Sequence, residues 1–152
     1  MSRRINFAPP PKRRQFAAAS LWQRGEGIDA LEGPHVDHGI PTRFHWCSAP
    51  ESRASLTPEG PGRYLIIIEY QNPWLVGQEV AIRLGEANLG TYSLVRTSRE
   101  SSRLLCLRAP LSAGPQELRL SFTRWIEPQG TEPRRLALML NDIHLERISR
   151  PG

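Results

Sequence analysis

Two short segments of this 152-residue chain set an indole plane beside hydrogen-bonding groups. In Gln71-Asn72-Pro73-Trp74 a proline fixes the backbone between an amide and a tryptophan. In Arg124-Trp125-Ile126-Glu127 a guanidinium and a carboxylate flank the ring. An aromatic plane takes the apolar face of a ligand while neighbouring polar groups orient it, in largely pre-formed sites. Asn72, Trp74, Arg124, Trp125 and Glu127 are therefore the candidate ligand-binding residues. The competing role for either indole is to cap an open end of the fold, with its N–H bonded to a loop carbonyl. Trp46 alternates with Phe44 and reads as core; Trp22 fits either role.

Other reactive residue types do not assemble into a recognised site. His35, Asp37, His38 and His45 lie near Cys47, but their spacing matches no standard zinc site, and Gly39–Pro41 intervenes. A loop carrying exposed histidines is expected, with no metal and no cofactor. The sequence contains no G-x-S-x-G elbow, phosphate-binding loop or H-E-x-x-H. Glu26, Asp29 and Glu32 are close in sequence, yet paired carboxylates work only across a cleft of defined width. The chain is not expected to be an enzyme.

Lys12 is the only lysine in a chain of net charge +5, so nearly all the positive charge is arginine. That bias fits either a coding preference or an arginine surface that grips carboxylates or phosphates bidentately. It is strongest at the N-terminus. Residues 1–19 carry Ser2-Arg3-Arg4 and Lys12-Arg13-Arg14 on either side of Ala8-Pro9-Pro10-Pro11. The triple proline favours an extended, semi-rigid tether or docking peptide with little to bury; a disordered tail without a dedicated role fits the same composition. If it docks on a partner, Arg3, Arg4, Arg13 and Arg14 supply charge, and Phe7 and Phe16 supply anchors. Nucleic acid is a weaker partner, because the aromatic residues are not interleaved with basic ones as stacking platforms. No apolar run approaches a membrane span, and no hydrophobic signal-peptide core is present, so the chain reads as cytoplasmic. Surface association through a partner stays open. Cys47 and Cys106 match no metal spacing and could pair only if their strands face each other.

The elements that would position these groups are strands. Tyr64–Tyr70 alternates, with Tyr64, Ile66, Ile68 and Tyr70 on one face and Leu65 and Ile67 on the other. Gln78–Leu94 reads as a hairpin around Gly85–Asn88. Leu118, Leu120 and Phe122 alternate with Arg119 and Ser121, a strand wet on one side. Leu21–Arg24, Ile28–Glu32, Arg43–Cys47 and Arg53–Thr57 are further candidates, and Leu104–Leu107 ends at Pro110. Along Leu136–Ile148 the apolar parity changes at Asn141-Asp142, which predicts a bulge. Many short strands with turns between them, some apolar on both faces, give an all-β antiparallel sandwich over residues 20–150.

Several of these segments resemble a known family. Pro61-Gly62-Arg63-Tyr64 followed by Ile68-Glu69-Tyr70-Gln71-Asn72-Pro73 is similar to a strand of jelly-roll carbohydrate-binding modules of galactose-binding-like fold. Leu111–Leu120 and Asn141–Glu146 resemble their penultimate and closing strands. A second likeness is to β-sandwich accessory domains of bacterial glycosyltransferases, through Arg43–Leu56 and Pro128–Leu145. There Glu132-Pro133-Arg134 stands where the family has Asp-Pro-Arg. An acidic pair of the kind that binds structural calcium in many such modules is missing near the first strand. The resemblance implies a non-catalytic, carbohydrate-binding-like accessory module. Trp74 or Trp125 would then stack on the C–H face of a sugar ring, with Asn72, Arg124 and Glu127 meeting its hydroxyls. The alternative is a structural or accessory subunit held in a larger protein assembly by its Arg/Pro-rich arm.

Overall fold

The computed structural model describes residues 21–149. The expected N-terminal arm, with Arg3, Arg4, Phe7, Arg13, Arg14 and Phe16, lies outside the described residues.

Nine strands occur among the described residues: β1 Trp22–Arg24, β2 His45–Ser48, β3 Glu51–Leu56, β4 Gly62–Gln71, β5 Glu79–Leu84, β6 Ala87–Ser93, β7 Arg103–Leu111, β8 Gln116–Phe122 and β9 Leu136–Ser149. They form two antiparallel sheets, β1-β3-β8-β5-β6 and β2-β9-β4-β7, packed as a jelly-roll sandwich. A single 3-10 turn, Val36–His38, is the only helical element described. No helix among the described residues is long and apolar enough to cross a membrane.

The alternation read from the sequence is the alternation of burial. Tyr64, Ile66, Ile68 and Tyr70 of β4 face Val80, Ile82, Leu118 and Leu120 of the opposite sheet across one core. Full burial of such an aliphatic side chain contributes about 1.5–3 kcal/mol. Leu65 and Ile67 lie half-buried on the outer face. The predicted bulge is present: Glu69 pairs with Asp142 and Tyr70 with Leu140, leaving Asn141 as the extra residue. That extra residue moves Ile143 and Leu145 onto the face occupied by Leu138 and Leu140.

Three expectations need correction. Ile28–Glu32 is not a strand; it makes only isolated bridges, Ile28 to Cys47 and Glu32 to Phe44, because the chain leaves the sheet between them. β7 does not stop at Pro110 but runs through it to Leu111. Proline is tolerated there because β7 is an edge strand paired only with β4. Trp46 is not in the main core: Phe44, Ile40 and Met139 form a second cluster, and half-buried Trp46 packs against it. Cys47 and Cys106 are both free, on strands at opposite edges of one sheet, the first buried and the second exposed.

Candidate functional site

One end of the sandwich carries a built site, made by an excursion that the sequence reading took for a plain loop. Between Glu32 and Phe44 the chain doubles back on itself. Backbone bonds run both ways between Glu32 and Phe44 (2.9 and 3.0 Å) and between His35 and Ile40 (2.8 and 3.1 Å). The Val36–His38 turn closes the tip, and Gly39 exits it at φ 72°, a left-handed conformation that glycine adopts without strain. Gly33 (φ 92°) lets the returning arm approach, since a Cβ there would lie 2.6 Å from the Thr42 carbonyl oxygen.

Three buried amides fix this excursion and the neighbouring loops. Gln71, wholly buried, accepts from Thr42 Oγ1 (2.5 Å) and Asn141 Nδ2 (2.9 Å) and donates to the Arg99 carbonyl (3.0 Å). Asn72 donates to the carbonyls of Leu75 (2.8 Å) and Leu94 (2.9 Å) and accepts from the Leu75 N–H (3.1 Å). Gln78 donates to the carbonyls of Arg124 (2.8 Å) and Ala137 (2.9 Å) and accepts from the Arg124 N–H (3.0 Å).

These restraints enclose a pocket of about 430 Å³. Its aromatic wall is Trp74, 39% exposed, stacked on Trp46 with ring centroids 6.0 Å apart and planes at 26°. The Arg99 guanidinium carbon lies 5.8 Å from the Trp74 centroid, and its Nη1 donates to the His38 carbonyl (3.1 Å). Opposite polar groups line the remainder: Glu32, His35, Glu132 and Arg134. Arg134 is a clamp. Its Nε and Nη2 grip the two Glu132 oxygens, each at 2.6 Å, while Nη1 reaches Asp29 Oδ2 at 2.7 Å. Hydrogen bonds from Arg134 hold the Glu132 carboxyl down to about 2, and the same bonds raise the Arg134 guanidinium above its ordinary value. His35 Nε2 lies 3.0 Å from Glu32 Oε1.

Of the five residues expected to bind ligand, only Trp74 borders this pocket. Asn72 does not offer its amide to solvent: it is 3% exposed and its polar atoms are committed inside the Trp74 turn. Trp125 is partly buried against the main core, and its indole N–H donates to Glu127 Oε2 (2.8 Å), a carboxylate where a loop carbonyl was the expected cap. Arg124 Nε donates to the Gly77 carbonyl (3.2 Å), bracing the far side of the Trp74 turn. Sequence reasoning missed Arg99, Arg134, Glu132 and the buried glutamines. For Trp46 the available signal was its outward parity relative to Cys47.

The histidine–cysteine group disperses. Cys47 lies in the main core, where burial pushes its thiol up to about 12. His45 Nδ1 lies 2.8 Å from the Asp29 carbonyl, and the ring meets Trp22 edge-on. His35 and His38 reach the pocket. Among the described residues, no group of three or more His, Cys, Asp or Glu side chains is arranged to hold a metal ion.

Neither a protein-family model nor a curated protein matches the chain. Solved structures do. The family 35 carbohydrate-binding module of Clostridium thermocellum is similar at 10% identity over 84% of this chain and 89% of that one, with TM-score 0.54. A family 35 module, Xyl-CBM35, in complex with a glucuronic acid-containing disaccharide aligns at 15% identity over 88% of this chain and 100% of its own, with TM-score 0.51. The module CBM6cm-2 of Cellvibrio mixtus lichenase 5A in complex with cellotriose aligns at 15% identity, covering 84% and 91%, with TM-score 0.51. At these identities the likeness is one of fold, the jelly-roll sandwich.

Proposed function

We propose that this chain is a non-catalytic recognition module that binds carbohydrate in the pocket beside Trp74. Residues 20–150 form the recognising domain, and residues 1–19 the arm that tethers it. The observation that carries the reading is an exposed indole, backed by a second indole, at the rim of a pocket lined by both carboxylates and guanidinium groups. An indole face stacks on the C–H face of a pyranose, and paired acceptors and donors meet its hydroxyls. Among the solved structures of this fold, those with cellotriose and with a glucuronic acid-containing disaccharide bound support the choice of ligand class. The resemblance to glycosyltransferase accessory domains extends the proposal: the module serves a larger glycan-processing assembly.

A specific observation favours a second reading, a protein-docking subunit. Val36, Val76 and Val95 are 77%, 67% and 45% exposed, on the same segments that supply His38, Trp74 and Arg99. Such apolar tips around a polar pocket suit a protein surface.

A glycan array probed with the full chain and with Trp74→Ala tests the first reading. Binding that Trp74→Ala abolishes and Trp125→Ala leaves intact is expected. An empty array, together with a fixed protein partner lost on changing Val36 and Val76 to Ser, would replace it with the second.

A further inference from the structure

We propose that the Trp74 pocket selects saccharides that carry a protonated amine, whose ammonium takes the place now held by the Arg99 guanidinium. This rests on the carbohydrate reading above and narrows it to amino sugars.

The pocket already holds a cation, one supplied by the chain itself. Arg99 reaches over the Trp74 ring, its guanidinium carbon 5.8 Å from the centroid, and donates from Nη1 to the His38 carbonyl at 3.1 Å. Among aromatic side chains an indole offers a cation the best face. Trp46, stacked with its centroid 6.0 Å away, holds that ring in position. The Arg99 side chain is exposed, while its backbone is anchored through the carbonyl that accepts from buried Gln71 (3.0 Å). The guanidinium can therefore leave the ring without carrying the loop with it. Its departure frees the indole face and the His38 carbonyl together, a π surface and an acceptor that one ammonium can use at once.

The fixed charges of the site point the same way. Asp29, Glu32 and Glu132 set three carboxylates around one guanidinium, that of Arg134. Every nitrogen of Arg134 already faces a carboxylate: Nε and Nη2 hold Glu132, and Nη1 holds Asp29. Glu32 is left with a longer contact to Arg134 (3.7 Å) and with His35 Nε2 at 3.0 Å. Backbone bonds to Phe44 in both directions (2.9 and 3.0 Å) fix Glu32 in the pocket wall. With Arg99 swung out, carboxylates outnumber guanidinium groups, and Glu32 is the least neutralised of them. An acidic sugar would meet that surplus. Of the two guanidinium groups that line the pocket, Arg134 is held by carboxylates, and Arg99 is turned to the ring and to a carbonyl.

Isothermal titration of the full chain at pH 7 with three matched disaccharides tests this: β-1,4-linked glucosamine, cellobiose, and glucuronic acid linked to glucose. The first differs from the second only by an ammonium in place of a hydroxyl on each ring. It should bind about 10-fold tighter than cellobiose, and the acidic disaccharide more weakly than either. Glu32→Gln, which keeps the shape of the side chain, should remove most of that preference and leave cellobiose binding unchanged. Arg99→Ala should tighten amine binding by about 3-fold or more, because a competing occupant is gone. Thermal melts of both variants control for folding. Equal affinity for the amine and cellobiose overturns the selectivity while leaving the carbohydrate reading standing. Tighter binding of the acidic disaccharide, or weaker amine binding by Arg99→Ala, also overturns it, since Arg99 is then a contact for anions. No heat from the amine overturns it as well, and an empty glycan array beside that result removes the carbohydrate reading too.

Discussion

Replacing Asn72 with alanine separates two roles that the residue type alone cannot distinguish. If its amide met a ligand hydroxyl, the substitution would weaken binding and spare stability. The structure gives the opposite expectation. Asn72 is 3% exposed and makes three side-chain hydrogen bonds, two to carbonyls and one from the Leu75 N–H. Each such bond contributes about 0.5–1.5 kcal/mol net, and a buried group left unpaired costs about 1–3 kcal/mol. The Leu94 carbonyl is in that position, its bond to Asn72 being buried. The Leu75 groups lie nearer water and recover part of their loss. Together these terms give a loss of about 2–4 kcal/mol. For a domain of this size that lowers Tm by about 4–16 °C. Urea unfolding of Asn72→Ala should show a lower midpoint at unchanged m-value. Asn72→Asp should fare no better, since a carboxylate would face the two carbonyls that the amide now feeds. A variant that keeps its midpoint while losing ligand would refute the assignment of Asn72 to the turn and restore it to the binding surface.

Trp74→Ala should cost less stability than Trp125→Ala, because Trp74 is exposed and gives up chiefly its stacking on Trp46, an aromatic pair worth about 0.5–1.5 kcal/mol, whereas Trp125 packs on the core; thermal melts of both variants decide this. Glu132 has a folded-state carboxyl lowered to about 2, below its unfolded value, so its contribution is complete above the ordinary carboxylate range and is lost as pH falls toward 2. Glu132→Gln should therefore flatten the acid limb of a Tm-against-pH curve, modestly because solvent reaches the pair; an unchanged limb counts against the Arg134 clamp. Iodoacetamide followed by mass spectrometry should label exposed Cys106 in the folded chain and reach Cys47, whose thiol is pushed up to about 12, only after unfolding.

The strands were legible because each carries its own record of burial. Leu118, Leu120 and Phe122 against Arg119 and Ser121 needs no distant partner to be read, and the parity change at Asn141 announced a real bulge. The pocket was not legible for the converse reason: its geometry depends on contacts between remote segments. Arg134 meets Asp29 across 105 positions, and Gln71 meets Thr42 across 29. Residue type showed that Asn72 could hydrogen-bond but not which way it faced. Trp74 and Trp125 looked equivalent in sequence because each has polar neighbours; they differ only in what lies beneath the ring, a second indole in one case and the apolar core in the other.

The placement of the buried amides argues for recognition rather than simple closure of the sandwich end. Leucine or isoleucine at positions 71, 72 and 78 would close the core without needing polar partners, as buried polar groups do. Instead Gln71, Asn72 and Gln78 bracket the Trp74 turn, and each ties it to a different segment: Gln71 to Thr42 and Arg99, Asn72 to Leu94, Gln78 to Arg124 and Ala137. Such a network fixes loops relative to one another, which apolar packing alone does less specifically. Pre-set loops lower the ordering cost of binding. A tryptophan that only capped the core would gain little from having its loop braced on both sides by buried amides.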